Sequence, residues 1–184
     1  MKTSFLILFL LFFFPGERGL SADLEGFFIS TRASVDTGAA TYQNVSDSLN
    51  GWAGEATMGW RLPSLFKIGL TALYENLTLQ GGQSAIGPLN MIGYGLQTRL
   101  FFVSTVFIEL NGGMTQARLT TSSTGNDLVA NGTFYTIGPG AEFKINDNLS
   151  LELSLRIHNV IFPQNEFLDM RAIFYSTGFT FYFK

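Results

Sequence analysis

Apolar and polar residues alternate with a period of two along most of the chain, which is the spacing of β-strands with two different faces. The stretch from Ile173 to Phe183 shows this pattern most fully, because its odd positions are apolar or aromatic apart from Thr177. The same alternation predicts seven earlier strands between about Leu24 and His158. We therefore expect an all-β fold with eight strands.

The connections between the predicted strands alternate in length. Polar stretches without an apolar period follow strands one, three, five and seven, at Asp36–Asn50, Gln80–Asn90, Thr120–Asn131 and Pro163–Asp169. The other connections are short, at Pro63-Ser64, Val103-Ser104 and Asn146–Asn148. This alternation predicts strands that pair in chain order, antiparallel, in an up-and-down barrel with both termini at the end of the short turns.

Pro139 interrupts the sixth predicted strand. Proline has no N–H to donate to the ladder, and a closed barrel has no edge strand to accommodate it. We therefore expect a β-bulge or a local kink there.

Charged residues inside the predicted strands all fall on the polar face until the outer strand ends. They are Arg32, Glu55, Arg61, Lys67, Glu75, Arg99, Glu109, Glu142, Lys144, Glu152 and Arg156. The apolar face carries aromatic residues towards both ends, such as Trp52 and Trp60 on strand two. Because a charge at mid-membrane on a lipid-facing position costs about 2–4 kcal/mol, we expect the apolar face to contact lipid. The charges are then expected to fill a narrow lumen as a salt-bridge network.

The end of the chain resembles the closing strand of bacterial outer-membrane barrels, in which aromatic residues alternate up to the C-terminus. Here the aromatic residues are Phe179, Phe181 and Phe183. Over the mature length the chain resembles the small OmpA/OmpX-type barrels. That resemblance implies an eight-stranded antiparallel transmembrane barrel in the bacterial outer membrane, with a structural or surface-interaction role and no appended periplasmic domain. It also implies that the barrel assembly machinery reads the three phenylalanines.

The N-terminus has the features of a secretory signal peptide. Lys2 precedes an apolar run from Phe5 to Phe14, and Leu20–Ala22 offers a cleavage site. The run is shorter than the roughly 20 residues of a membrane-spanning helix. We therefore expect residues 1–22 to be a cleaved signal peptide and residues 23–184 to form the outer-membrane barrel domain.

Composition supports the barrel and excludes several other classes. Hydrophobic residues make up 46% of the chain and mean hydropathy is +0.23, yet no second apolar run is long enough for a membrane helix. Cysteine is absent, so no disulfide supports the fold. The net charge is −3 and no basic tract occurs, so nucleic acid is not an expected partner. We expect a monomer without a metal or other cofactor.

His158 is the only histidine in the chain. Its surroundings resemble the His-x-Ser-Asn region of lipid A deacylase barrels, in which the histidine activates a serine. Val160 occupies the serine position, and the strand period directs His158 into the lumen. We therefore expect no enzyme activity. A lipid A-modifying hydrolase that uses His158 and a narrow pore remain the alternatives.

Two arginines lie on the apolar face close to the external strand ends. They are Arg118 and Arg171. Phosphates of lipopolysaccharide would lie at this depth, and guanidinium groups bind phosphate through paired hydrogen bonds. These side chains are therefore candidates for contact with lipopolysaccharide, although we favour the alternative of two solvated arginines.

Overall fold

The computed structural model describes residues 25–42, 45–62, 66–80, 86–103, 105–121, 127–163 and 169–183. They form eight β-strands. The strands are β1 (Gly26–Tyr42), β2 (Val45–Leu62), β3 (Phe66–Gln80), β4 (Ile86–Phe101), β5 (Val106–Thr121), β6 (Asp127–Asn146), β7 (Leu149–Ile161) and β8 (Asp169–Phe183). The predicted signal peptide lies outside the described residues. Nowhere in the described ranges is there a helix long and apolar enough to cross a membrane.

The strands form a closed barrel in which each strand pairs with the next one along the chain. All pairs are antiparallel, and β1 closes the barrel against β8, with Phe27 opposite Phe183. This arrangement confirms the predicted all-β, eight-stranded, up-and-down barrel.

The strands are longer at the outer end than the sequence pattern predicts. β1 continues to Tyr42 and β2 begins at Val45, so most of the predicted loop Asp36–Asn50 is a strand pair. β4 likewise begins at Ile86 and β6 at Asp127, inside the second and third predicted loops. The prediction of long loops there is wrong because backbone pairing continues through these residues even where the apolar period on the outward face has ended.

The barrel is taller than a bilayer requires. Its strands contain between 13 and 20 residues, whereas about 9–11 residues suffice for a β-strand to cross a membrane. We call the outer ends of the strands the collar: residues 37–42, 45–50, 76–80, 86–90, 116–121, 127–133, 159–161 and 169–171. The rest of the barrel is the trunk.

The trunk has apolar side chains outside and charged side chains inside. Leu70, Met58 and Leu96 are neighbours on the outer surface, and each residue is 55–62% exposed. Arg99 and Glu109 face the lumen and are fully buried. The predicted orientation of the two faces is therefore confirmed for the trunk.

In the collar the two faces exchange their character. Inward-facing side chains in and just below the collar form the apolar lumenal cluster, namely Ala40, Leu49, Ala53, Leu73, Leu77, Leu89, Met91, Ala117, Leu119, Ala130, Phe134, Val160, Phe162, Met170, Ala172 and Phe174. Outward-facing side chains there are mostly polar, among them Thr41, Thr78, Gln116 and Asn131. The lumen of the collar is therefore apolar, in contrast to the charged lumen of the trunk. A sheet that meets water on its outside needs an apolar interior, as in a soluble protein.

Pro139 is part of β6 and faces outward. The register of β6 against β7 is the same on both sides of it, with Ile137 opposite Ile157 and Gly140 opposite Ser154. The predicted bulge is therefore absent. A bulge requires an additional residue on one strand, whereas a proline only removes an N–H donor. The register shift of this strand pair lies at the turn, between Lys144 and Asn146.

Candidate functional site

The trunk lumen is crossed by ion pairs between opposite walls. Arg32 of β1 donates from Nη1 and Nη2 to the Oε2 and Oε1 atoms of Glu109 on β5, at 2.6 and 2.9 Å. Lys67 of β3 lies with Nζ 3.2 Å from Oε1 of Glu152 on β7. Strands that are four places apart face each other in an eight-stranded barrel. These pairs therefore occupy the barrel axis.

Two further arginines join the cross-lumen pairs into one network. Arg99 donates from Nη1 and Nη2 to Glu152 at 2.5 and 2.8 Å, and from Nε to Glu109 at 2.8 Å. Arg156 lies with Nη1 2.8 Å from both Glu55 and Glu109. All five side chains are at most 5% exposed. Each buried charge depends on its partners, because an unpaired charge in such a site is strongly destabilising.

Uncharged side chains complete the network, and the sequence pattern did not single them out. Gln97 donates from Nε2 to Glu55 at 2.9 Å, and Ser150 donates from Oγ to Glu142 at 2.8 Å. Arg156 donates from Nη2 to Oγ of Ser176, and the hydroxyl groups of Thr180 and Tyr182 donate to Glu152 and Glu142. These residues lie on the predicted polar face, and that shared face was the one signal that could have identified them.

An aromatic layer lies below the network, at the end of the short turns. It consists of Phe28, Phe101, Phe107 and Tyr182, each at most 1% exposed. The guanidinium carbon of Arg61 lies 4.2 Å from the ring centroid of Phe101, and Nζ of Lys67 lies 4.2 Å from that of Phe28. These are cation–π contacts. The described lumen thus has three layers: aromatic rings, a charged network and the apolar lumenal cluster.

Lys144 was predicted to belong to the charged network, but its ion pair is with a residue of the adjacent turn. Its Nζ lies 2.9 Å from Oδ1 of Asp147, whose side chain is 75% exposed in the adjacent turn. The residue has the inward position expected from the period of two. It is so close to the strand end, however, that its long side chain reaches the solvent-exposed carboxylate of Asp147. Asp36, which was predicted to lie in a loop, is instead a lumenal residue of β1 and 1% exposed.

His158 lies where the charged network meets the apolar lumenal cluster. Its Nδ1 is 2.9 Å from Oγ1 of Thr136, and its Nε2 is 3.1 Å from Oε1 of Glu75. The imidazole stacks on Phe174 with ring centroids 4.5 Å apart and is fully buried. Both ring nitrogens therefore lie beside other buried lumenal side chains. No group of three or more metal-ligating side chains forms among the described residues.

The two arginines of the apolar face lie in separate grooves on the outer surface of the collar. Arg118 lies in a groove of about 290 Å³, whose other described lining residues are Tyr74, Asn90, Ile92 and Gln116. Arg171 lies in a groove of about 370 Å³ that Asp169 and Tyr135 also line. The structure therefore places both arginines at the outer rim, on different sides of the barrel.

The three phenylalanines of the proposed assembly signal share the outward side of β8. Phe179, Phe181 and Phe183 are each 46–51% exposed. The ring of Phe183 lies 5.8 Å from that of Phe27, between centroids, across the seam that closes the barrel. All three side chains would therefore contact lipid in a membrane.

No protein-family model and no curated protein matches this chain. Several solved structures have a similar fold. Neisserial surface protein A is 16% identical, with a TM-score of 0.56 over 86% of this chain and 97% of that one. Ail, the attachment invasion locus protein of Yersinia pestis, is 11% identical, with a TM-score of 0.56 over 85% of this chain and 99% of that one. The outer membrane protein AlkL is 10% identical, with a TM-score of 0.52 over 87% and 91% of the two chains.

At these identities the likeness concerns the fold alone. It confirms the predicted resemblance: the chain has the fold of the small eight-stranded outer-membrane β-barrels.

Proposed function

We propose that this protein spans the bacterial outer membrane as a closed barrel with a structural or surface-interaction role. The exchange of faces between trunk and collar carries the proposal. The trunk presents apolar side chains such as Leu70 to its surroundings, and the collar presents polar ones such as Thr78. If the trunk lies in hydrocarbon and the collar in water, each outer surface contacts surroundings of its own polarity. The four connections beyond the collar would then be displayed at the cell surface.

The arrangement of the lumen supports a plug in preference to the two alternatives. A narrow pore needs a hydrated path along the axis, where the Arg32–Glu109 and Lys67–Glu152 pairs lie. A lipid A-modifying hydrolase needs its base within reach of a lipid ester, and His158 is enclosed by Thr136, Glu75 and Phe174. We therefore propose a protein that is neither an enzyme nor a channel.

The proposal includes partners in the envelope. Arg118 and Arg171 at the rim suit the phosphates of lipopolysaccharide. The outward phenylalanines of β8 suit recognition by the barrel assembly machinery during insertion. Neither a nucleic acid nor a second copy of the chain is part of the proposal.

Fractionation of a Gram-negative host that expresses the full chain tests the location. We expect the protein in the outer-membrane fraction, and we expect unboiled samples to migrate differently from boiled ones, because a closed hydrogen-bonded barrel resists detergent until it is heated. A periplasmic protein whose migration does not change on boiling would contradict the proposal.

A further inference from the structure

Three titratable side chains lie where the charged network meets the apolar lumenal cluster. Nε2 of His158 on β7 is 3.1 Å from Oε1 of Glu75 on β3, the opposite wall of the lumen. The imidazole stacks on Phe174, which is paired across the sheet with Asp36. Asp36, Glu75 and His158 are each at most 2% exposed. We call these three residues the junction layer.

The carboxyl groups of the junction layer are poorly partnered. Neither oxygen of Asp36 has a hydrogen-bond partner among the described residues, and Oε2 of Glu75 has none either. In the charged network, by contrast, Glu109 and Glu152 are each paired with two or more cations. A buried carboxylate without a partner is strongly destabilising. The junction layer therefore needs either a further positive charge or a proton.

The residues around the junction layer do not supply that charge. Its neighbours in the sheet are all uncharged, namely Gly51 and Phe174 beside Asp36, Ala53 and Met91 beside Glu75, and Thr136 and Ala172 beside His158. From outside the layer Arg156 acts electrostatically on Asp36. Its Nη1, however, lies 2.8 Å from both Glu55 and Glu109, so this cation already belongs to the network.

The buried charges of the trunk lumen leave one carboxyl group in excess. Besides His158, the structure describes five buried cations and six buried carboxyl groups there. The cations are Arg32, Arg61, Lys67, Arg99 and Arg156, and the carboxyl groups are those of Asp36, Glu55, Glu75, Glu109, Glu142 and Glu152. With every carboxyl group ionised and His158 neutral, one buried negative charge would have no counterpart. A single proton, on a carboxyl group or on the imidazole, removes that charge.

We propose that Asp36, Glu75 and His158 bind one proton in common and that the stability of the folded barrel depends on it. Since the three groups interact, the proton belongs to the layer as a whole. In the unfolded chain, carboxyl groups and imidazole lose their protons below about pH 7. Above that pH the folded barrel holds one proton more than the unfolded chain, so its stability falls as the pH rises.

Urea titration of the barrel, refolded into phospholipid vesicles at about pH 7, 8 and 9, tests the inference. We expect the folding equilibrium constant of the wild type to fall by about tenfold or more over this range. Asp36→Asn and Glu75→Gln each remove one carboxyl group and with it the need for the proton. In either variant the constant is expected to change less than about twofold. A wild type that is equally stable at all three pH values would overturn the inference.

His158→Gln distinguishes a shared proton from a histidine that titrates alone. Because this variant keeps both carboxyl groups, its folding constant is expected still to fall by about tenfold or more. If the fall disappears in His158→Gln and persists in Asp36→Asn, His158 alone carries the proton and the inference is wrong.

Ser34→Ala is the matched control for a polar substitution in the lumen. Ser34 lies two residues from Asp36 on the same face of β1 and is also buried. The variant is expected to keep the pH dependence of the wild type, and its loss here too would contradict the assignment to the junction layer. Heat-modifiable migration shows which variants are folded, and either carboxyl variant alone decides the test.

Discussion

Replacing Arg99 with methionine is expected to lower the free energy of unfolding by about 3–5 kcal/mol. The guanidinium group is fully buried and holds Glu152 through two hydrogen bonds and Glu109 through a third. Methionine fills much of the same volume but cannot pair with either carboxylate. Glu152 then loses its principal partner and Glu109 loses one of its three arginine partners. The cost of keeping these carboxylates out of water is therefore only partly offset.

Urea titration of barrels refolded into phospholipid vesicles measures this loss. Lys144→Met is the matched control, because its ion pair with Asp147 lies at a solvent-exposed turn and should contribute at most about 1 kcal/mol. The double variant Arg99→Met/Glu152→Gln also removes the carboxylate charge that has lost Arg99, and it is expected to recover part of the stability. Equal losses for Arg99→Met and Lys144→Met would show that the lumen is wet and the network weak.

Replacing Leu70 with arginine is expected to destabilise the inserted barrel by about 2–4 kcal/mol. Leu70 lies on the outer surface of the trunk between Met58 and Leu96, far from either rim. A charge at this position must lie in hydrocarbon or distort the bilayer around it.

Thr78→Arg introduces the same residue on the same strand and the same face, but in the collar. Its expected cost is about 0–1 kcal/mol, because the guanidinium remains in water or among headgroups. The two variants are compared by the same unfolding titration in vesicles. If both cost the same, the trunk and collar would not differ in their surroundings, and the proposed depth of the barrel would be wrong.

The trunk could be predicted from the sequence because its two faces differ strongly in polarity. In β7 apolar residues such as Leu153 and Leu155 alternate with Glu152 and Arg156, so a shift by one residue would place charges in lipid. Such a pattern fixes the strand, its orientation and its face together.

The collar could not be predicted because its faces differ only weakly. The end of β1 reads Asp-Thr-Gly-Ala-Ala-Thr from Asp36, where the lumenal residue Ala40 and its outward neighbour Ala39 are both alanine. An apolar face also does not show which way it points. The exchange of faces depends on where the bilayer ends, and that boundary follows from the height of the folded barrel.

The partners within the lumen also required the structure. The period placed Arg32 and Glu109 on the polar face, but their pairing depends on which strands lie opposite each other and on the stagger between them. Asp36 was missed because it was assigned to a loop, and Lys144 was misplaced because the period ignores distance from the strand end.

Quenching of the two tryptophans by brominated lipids tests most directly whether the apolar face of the trunk contacts hydrocarbon. Trp52 and Trp60 lie towards opposite ends of the trunk and are 52% and 58% exposed. Trp52→Phe and Trp60→Phe each leave a single reporter. Both reporters are expected to be quenched strongly by lipids brominated on the acyl chains and weakly by aqueous acrylamide. Strong quenching by acrylamide, with no effect of any brominated lipid, would show that this face meets water and would contradict the account.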